Sequence, residues 1–248
     1  MRFLDNGIFE EDYRISFTHV GPDDLLTNKS FLLLMENLAE AHSEAVHMTF
    51  RDLAKNNMTW ILLNWKLQVF KRPKSDTMVK LQTWPVFANK IFIIRDFKMF
   101  DAEGNLCAIA SSKWCLLNTS INKIARMPDN IDSIFHGFKN PYVFGGNDLA
   151  KLSVPDSEAI DSDYYKIRRF DLDINNHVHN LNYLNYAYEI LPVNVYKGPE
   201  LNNVEIYYKR EIKYGETIHS TLYVESGIYT IVTEDENEEI VHSIIKLY

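Results

Sequence analysis

Between Asp171 and Tyr183 the chain reads Asp-Leu-Asp-Ile-Asn-Asn-His-Val-His-Asn-Leu-Asn-Tyr. Asp173, Asn175 and His177 fall in one short stretch. The spacing of Leu181, Leu184, Ala187, Tyr188 and Leu191 predicts an amphipathic helix directly after them. A carboxylate that can take a proton, an amide that can donate a hydrogen bond and a titratable ring suit the hydrolysis of an activated acyl group. The competing reading makes Asp173 and Asn175 turn and cap residues, the common use of these types before helices. His177 and His179 are also spaced like a metal-binding pair. No third His or Cys is close by in sequence, so no metal is expected. No Gly-x-Ser-x-Gly element occurs, which argues against a serine nucleophile on a strand-to-helix elbow.

The elements that must position this segment come in a repeated order. Tyr13 to Phe17 alternates like a strand, and Lys29 to Val46 reads as a helix. Strand-like runs follow at 58–70, 78–87, 91–100 and 106–118, with a turn at Asp101-Ala-Glu-Gly104. In the second half, a strand over 164–170 leads into the Asp/Asn/His segment and its helix, which Pro192 helps to end. Strands are then expected over 204–212, 218–224, 228–233 and 240–247. Strand, helix and antiparallel meander, given twice, predict an α+β fold with a long helix against a curved sheet. The expected divisions are a first domain over 1–125, a linker over 126–160 rich in Pro and Gly, and a second domain over 161–248. Exposed sheet edges would promote aggregation, and pairing the two sheets edge to edge would remove that hazard.

Bulk composition narrows the partners. Of 248 residues, 46% are hydrophobic and 24% charged, an ordinary globular balance. Lys plus Arg is 26 and Asp plus Glu is 34, a net charge of −8, which argues against nucleic-acid binding through a general basic surface. No apolar run reaches membrane-spanning length. The first residues resemble neither a signal nor a transit peptide, and a cytoplasmic protein is expected. Cys107 and Cys115 lie too far apart on one expected strand to bridge and read as buried free thiols in a reducing compartment.

Several separate patterns, in order along nearly the whole chain, resemble the acyl-acyl-carrier-protein thioesterase family of plants and bacteria. They are Val20-Gly-Pro-Asp23, Asn57-Met-Thr-Trp60 with Trp65 and the turn Lys71-Arg-Pro-Lys-Ser-Asp76, and Thr83-Trp84 with Ile94-Arg-Asp-Phe97. Two more are Ala110-Ser-Ser-Lys-Trp-Cys-Leu-Leu-Asn118 and the Asp171–Tyr183 segment. The resemblance implies two tandem hotdog domains, the second catalytic and the first holding the acyl chain. It places the family's Asp-x-Asn-x-His set on Asp173, Asn175 and His177. A further carboxylate falls on Glu211, on the strand that follows the helix. Plant members carry a Cys directly after that acid; Ile212 stands there, which excludes a cysteine nucleophile at that position. His179 replaces the family's usual Asn.

On this resemblance the chain would hydrolyse acyl-acyl-carrier protein, release a free fatty acid and end chain elongation in fatty-acid biosynthesis. Glu211 would serve as general base, with His177 orienting water or moving a proton. Direct carboxylate attack to an anhydride is the alternative. Asp173 would orient Asn175 or the backbone, and Asn175 would polarise the carbonyl or position water. The backbone N–H groups from Val178 to Asn180 would meet the oxyanion. Met35, Leu38, Trp60, Leu62 and Trp84 are candidate acyl-chain lining, each equally readable as core. Docking of the acidic carrier calls for local basic residues: Lys71, Arg72, Lys74, Lys166, Arg168, Arg169, Lys209 and Arg210. No cofactor is expected beyond the phosphopantetheine of the substrate, and the chain would be a monomer or homodimer. Competing functions are an acyl-CoA thioesterase, a hotdog dehydratase or an inactive acyl-binding module.

Overall fold

The structure, a computed structural model, describes residues 2–4, 6–136, 140–145, 149, 151–199 and 201–248. The chain forms two compact units, Met1–Leu149 and Ala150–Tyr248.

In the first unit, strands β1 (Arg2–Phe3) and β2 (Phe9–Arg14) precede helix α1 (Asn28–Ala45) and the short α2 (Phe50–Ala54). Long strands β3 (Met58–Val69), β4 (Met78–Ala88), β5 (Phe92–Asp101) and β6 (Leu106–Asn118) follow, then β7 (Lys123–Ala125) and α3 (Ile131–Ile134). The antiparallel sheet runs β1-β2-β4-β5-β6-β3, with β7 pairing β6. Pro85 lacks an N–H, and the β4–β5 register shifts between Pro85 and Phe87, where the ladder is already irregular. Thr27 caps α1 by accepting a bond from the Ser30 N–H at 3.2 Å. The helix buries Phe31, Leu32, Leu34, Met35, Leu38, Ala39 and His42 against the sheet.

The second unit repeats the plan on a smaller scale. Strand β8 (Asp161–Lys166) is followed by a 3-10 turn at Arg169–Asp171, another at Asn180–Asn182, and helix α4 (Tyr183–Glu189). After α5 (Val193–Tyr196) come β9 (Asn203–Tyr208), β10 (Thr217–Glu225), β11 (Ile228–Asp235) and β12 (Val241–Leu247), ordered β9-β12-β11-β10-β8.

The expected strands and the long helix are present with shifted ends. Two differences matter for function. The strand expected over 204–212 stops at Tyr208, because the N–H groups of Lys209 and Arg210 both turn to the carbonyl of His242. Glu211 therefore sits on a loop rather than a strand. The second correction concerns the last part of the run expected as a strand over 164–170, which forms a 3-10 turn at Arg169–Asp171. The stretch expected as connector over 126–160 gives Met127, Ile131 and Phe135 to the buried core of the first unit, packed with Met48, Leu53, Ile93 and Leu116.

Cys107 and Cys115 are buried free thiols on β6, and burial pushes both up to about 11. A second buried acid is Asp96 on β5. Its carboxylate accepts bonds from the Ser111 hydroxyl and, at 2.7 Å, from the Val143 N–H. Burial nevertheless raises it to about 6, the hydrogen bonds only partly offsetting the desolvation. A carboxyl whose folded pKa lies above its unfolded value binds its proton more tightly in the fold. Its stabilising contribution is full below about pH 4 and disappears as pH rises through about 6. Asp96→Asn keeps an oxygen for Val143 and gives an N–H to Ser111. We expect it to be about 1–3 kcal/mol more stable than wild type at pH 7.5 and to match it near pH 4. Urea unfolding at the two pH values checks this; a variant less stable at pH 7.5 would refute the buried-charge account.

Candidate active site

A tight hairpin after β8 carries the Asp/Asn/His segment. Leu172 and Val178 pair across it, and the Asp173 N–H donates to the His177 carbonyl at 2.8 Å. Asn176 at the tip has φ of 61°, a left-handed conformation that Asn tolerates. The Asp173 carboxylate closes the turn from inside. Oδ1 accepts from the N–H of Asn175 at 2.8 Å and of His177 at 3.3 Å. Oδ2 accepts from the Asn175 side-chain amide at 3.3 Å.

The hairpin lies against the loop after β9. His177 pairs with Lys213, and the Val178 N–H donates to the Ile212 carbonyl at 2.8 Å. This brings His177 Nε2 to 3.5 Å from Glu211 Oε1. Lys213 Nζ lies 3.6 Å from the same oxygen and favours its anionic form. The Glu211 side chain is 53% exposed and that of His177 32%, so water reaches both. Asp173, Asn175, His177 and Glu211 thus converge on one hairpin and its neighbouring loop.

Behind the hairpin, Asp171 is buried and receives the backbone N–H, Nε and Nη2 of Arg168 at 2.7, 3.2 and 3.1 Å. Burial alone would raise this carboxyl; the bonds from Arg168 outweigh it and hold it below its ordinary value. Tyr183 Oη donates to the Arg210 carbonyl at 3.2 Å, and Tyr208 Oη to the Asn180 carbonyl at 2.9 Å. These bonds tie the helix start to the Glu211 loop.

The first unit builds the same hairpin without the polar set. Val20 pairs with Leu26, the Gly21 N–H donates to the Leu25 carbonyl at 2.9 Å, and Asp24 has the same φ of 61° as Asn176. Leu25 pairs with Lys74, and the Leu26 N–H meets the Pro73 carbonyl at 2.9 Å. The Thr27 N–H reaches the His19 carbonyl as the His179 N–H reaches that of Asp171. Gly21 therefore stands where Asp173 does, Leu25 where His177 does, and Arg72 where Glu211 does. The geometry of the hairpin does not require an acid, an imidazole and a second acid at these places.

This bears on the cap reading. The residue that caps the helical segment is His179, whose Nδ1 accepts from the Leu181 N–H at 3.3 Å. It takes the place of Thr27 in the first unit, which accounts for a His where the family usually has Asn. Asp173 and Asn175 hold the hairpin instead.

One expectation is overturned. The N–H groups of Val178 and His179 were assigned to the oxyanion, but they are consumed by the carbonyls of Ile212 and Asp171 at 2.8 and 2.9 Å. The helix is entered through a hairpin ladder rather than an open end, and the Asn175 amide is the nearer donor. Lys213 was missed from the sequence. Aligning it with Lys74 across the internal repeat would have found it.

The candidate acyl-lining residues do not share one surface. Met35 and Leu38 are fully buried on α1, and Leu62 is buried on β3. Trp60 packs against the cluster of Met48, Leu53 and Phe135, its Nε1 donating to the Met48 carbonyl at 2.9 Å. Trp84 packs with Ile8, Val86 and Ile94. Its neighbour Thr83 reaches across to Arg95 and through it to His42 of α1, so Trp84 faces away from α1. Of the basic residues, Lys71 pairs with Asp101 at 2.6 Å, and Arg72 binds the Leu26 carbonyl and Asn28 at the start of α1. Arg168 is committed to Asp171. Arg169 lies over the Tyr214 ring beside the site, at 5.7 Å. Lys166 ends β8, and Arg210 directly precedes Glu211. Among the described residues no group of His, Cys, Asp and Glu could hold a metal ion.

Comparison with known proteins agrees with this duplicated plan. The acyl-ACP thioesterase N-terminal domain matches residues 6–135, and the acyl-ACP thioesterase C-terminal domain matches residues 155–246. The chain belongs to the acyl-ACP thioesterase family. It is 25% identical over 236 residues to oleoyl-acyl carrier protein thioesterase 2 of Arabidopsis thaliana, covering 88% of this chain and 64% of that one. An acyl-[acyl-carrier-protein] hydrolase of Cuphea viscosissima is 27% identical over 178 residues, covering 70% of this chain and 42% of that one. The chain thus spans less than two thirds of the length of these curated relatives. The crystal structure of an acyl-ACP thioesterase from Bacteroides thetaiotaomicron shares the fold, with a TM-score of 0.86, 20% identity and 98% of both chains covered. The two units are the tandem hotdog domains of this acyl-ACP thioesterase family member. Among the described residues no helix is long and apolar enough to cross a membrane.

Proposed function

We propose that the protein hydrolyses the thioester of acyl-acyl-carrier protein, releasing a free fatty acid. The observation that carries this reading is the second hairpin. It places Asp173, His177 and Glu211 on a scaffold that the first unit builds with Gly21, Leu25 and Arg72. In the proposed reaction, Glu211 removes a proton from a water held between it and His177. The hydroxide oxygen bonds to the carbonyl carbon, and the carbonyl electrons move to oxygen, where the Asn175 amide donates to the oxyanion. Collapse re-forms the carbonyl and expels the phosphopantetheine thiolate, which takes back a proton. Asp173 keeps Asn175 and His177 in place through its carboxylate.

The carrier is the proposed macromolecular partner, with Lys166, Arg169 and Arg210 as the basic residues beside the site. The proposed compartment is the cytoplasm, which would keep Cys107 and Cys115 reduced. Thiol release from a panel of acyl-acyl-carrier proteins and matching acyl-CoAs tests the activity and separates the two carriers. If Asn175 meets the oxyanion, Asn175→Ala lowers kcat by about 10²–10³-fold. A loss under about threefold would mean that its amide serves only the hairpin.

A further inference from the structure

Helix α1 buries Met35, Leu38 and His42 along one face. Across from His42, β5 places Arg95 in the same layer. His42 is fully buried and Arg95 is 5% exposed. Arg95 Nη1 donates to His42 Nδ1 at 2.8 Å and to Thr83 Oγ1 at 3.3 Å. Burial, and then the Arg95 cation, hold His42 far below the ordinary imidazole range, so its ring is neutral. The second ring nitrogen, Nε2, is buried without a partner. Phe9 stacks flat on the imidazole at 4.9 Å, and Phe135 meets it edge-on at 5.2 Å. Phe3, at the surface, and His136 close the cluster from outside, with their rings 4.4 Å apart.

Arg95 has no acidic partner. Asp96 is next on the strand but faces the other way and is bound to Ser111 and Val143. A guanidinium has five N–H donors, and here one nitrogen has found two acceptors. The Phe135 ring, 5.1 Å from Cζ, and the carbonyl end of α1 offset part of the burial. A buried cation without a counter-ion is nonetheless strongly unfavourable, and folds do not keep one for packing alone.

We propose that Arg95 and His42 form a receptor for an oxygen-bearing group, above all a carboxylate, at the far end of the acyl chain. This rests on the acyl-thioester reading above. A chain running along α1 past Met35 and Leu38 ends at the guanidinium, with an imidazole nitrogen beside it. The selected substrates are acyl thioesters with an oxygenated tail rather than a methyl end.

Two measurements on the full chain test this. Calorimetry compares dodecanedioic with dodecanoic acid, and thiol release compares ω-carboxyacyl, ω-hydroxyacyl and plain acyl-acyl-carrier proteins of one length. Wild type is expected to favour the diacid and the ω-carboxyacyl substrate by about tenfold or more, as suits a charged hydrogen-bonded pair. Arg95→Met should reverse the preference, and Arg95→Lys should restore part of it. Equal binding of the two acids by wild type overturns the proposal, whether or not either variant folds, as does an unchanged preference in a folded Arg95→Met. Hydrolysis of all three substrates without preference sinks the receptor and leaves the thioesterase standing. A diacid preference with no hydrolysis does the reverse.

Discussion

Glu211→Gln is expected to lower kcat for thioester hydrolysis by about 10²–10⁴-fold while leaving the melting temperature within a few degrees of wild type. The amide keeps the shape of the side chain and loses the proton acceptor. Exposure of the Glu211 side chain, 53%, means that little packing depends on it. Asp173→Asn should show a comparable loss by another route. Its carboxylate holds two backbone N–H groups and the Asn175 amide, and an amide at this place presents one acceptor oxygen instead of two. The pair is separated by solvent isotope effects. Removal of the base changes the proton-transfer step, whereas loosening of the hairpin lowers the rate with the isotope effect unchanged. Turnover by Glu211→Gln at more than a tenth of the wild-type rate would move the base elsewhere, with direct carboxylate attack also excluded at this residue.

The second large effect concerns stability. Phe135→Ala should cost about 3–5 kcal/mol, as for aromatic truncations in a well-packed core. Phe135 is 1% exposed, packs with Met48, Leu53 and Ile131, meets the His42 ring and lies under the Arg95 guanidinium. Denaturant titration measures the change. A loss below about 1 kcal/mol would show that residues 126–135 lie on the first unit without holding it together.

Much of this was legible in the sequence because it rests on period. The 3.6-residue spacing of Leu32, Met35, Leu38 and Ala39 marks α1, and the alternation in 58–69 and 106–118 marks β3 and β6. The order of elements, read twice, gave the tandem plan. Period has nothing to say where hydrogen bonds leave the ladder. The end of β9 at Tyr208 is set by Lys209 and Arg210 both turning to His242, which lies on another strand. Likewise, Asp173 reads as a cap until His179 is seen capping the segment and Gly21 is seen in the matching place. The oxyanion assignment failed for the same reason. Whether an N–H is open depends on a carbonyl far away in sequence, here that of Ile212 for Val178. Opposite faces of one strand also escaped notice, so Trp84 was grouped with α1 residues from which the sheet separates it.

The two helices differ in length: α1 has 18 residues, whereas α4 has 7 after a three-residue 3-10 turn. Helices shorter than about 12–15 residues are marginal on their own, because the first turn is costly to form. What holds the second helix is the hairpin before it and the loop beneath it. His179 caps it, Asn182 binds the Asp171 carbonyl, and Tyr183 and Tyr208 bind across to the Arg210 and Asn180 carbonyls. The same hairpin and loop carry Asp173, His177 and Glu211. Helix and reactive groups therefore become ordered in one cooperative step, and the second domain has no intermediate in which its helix is formed but its chemistry is not.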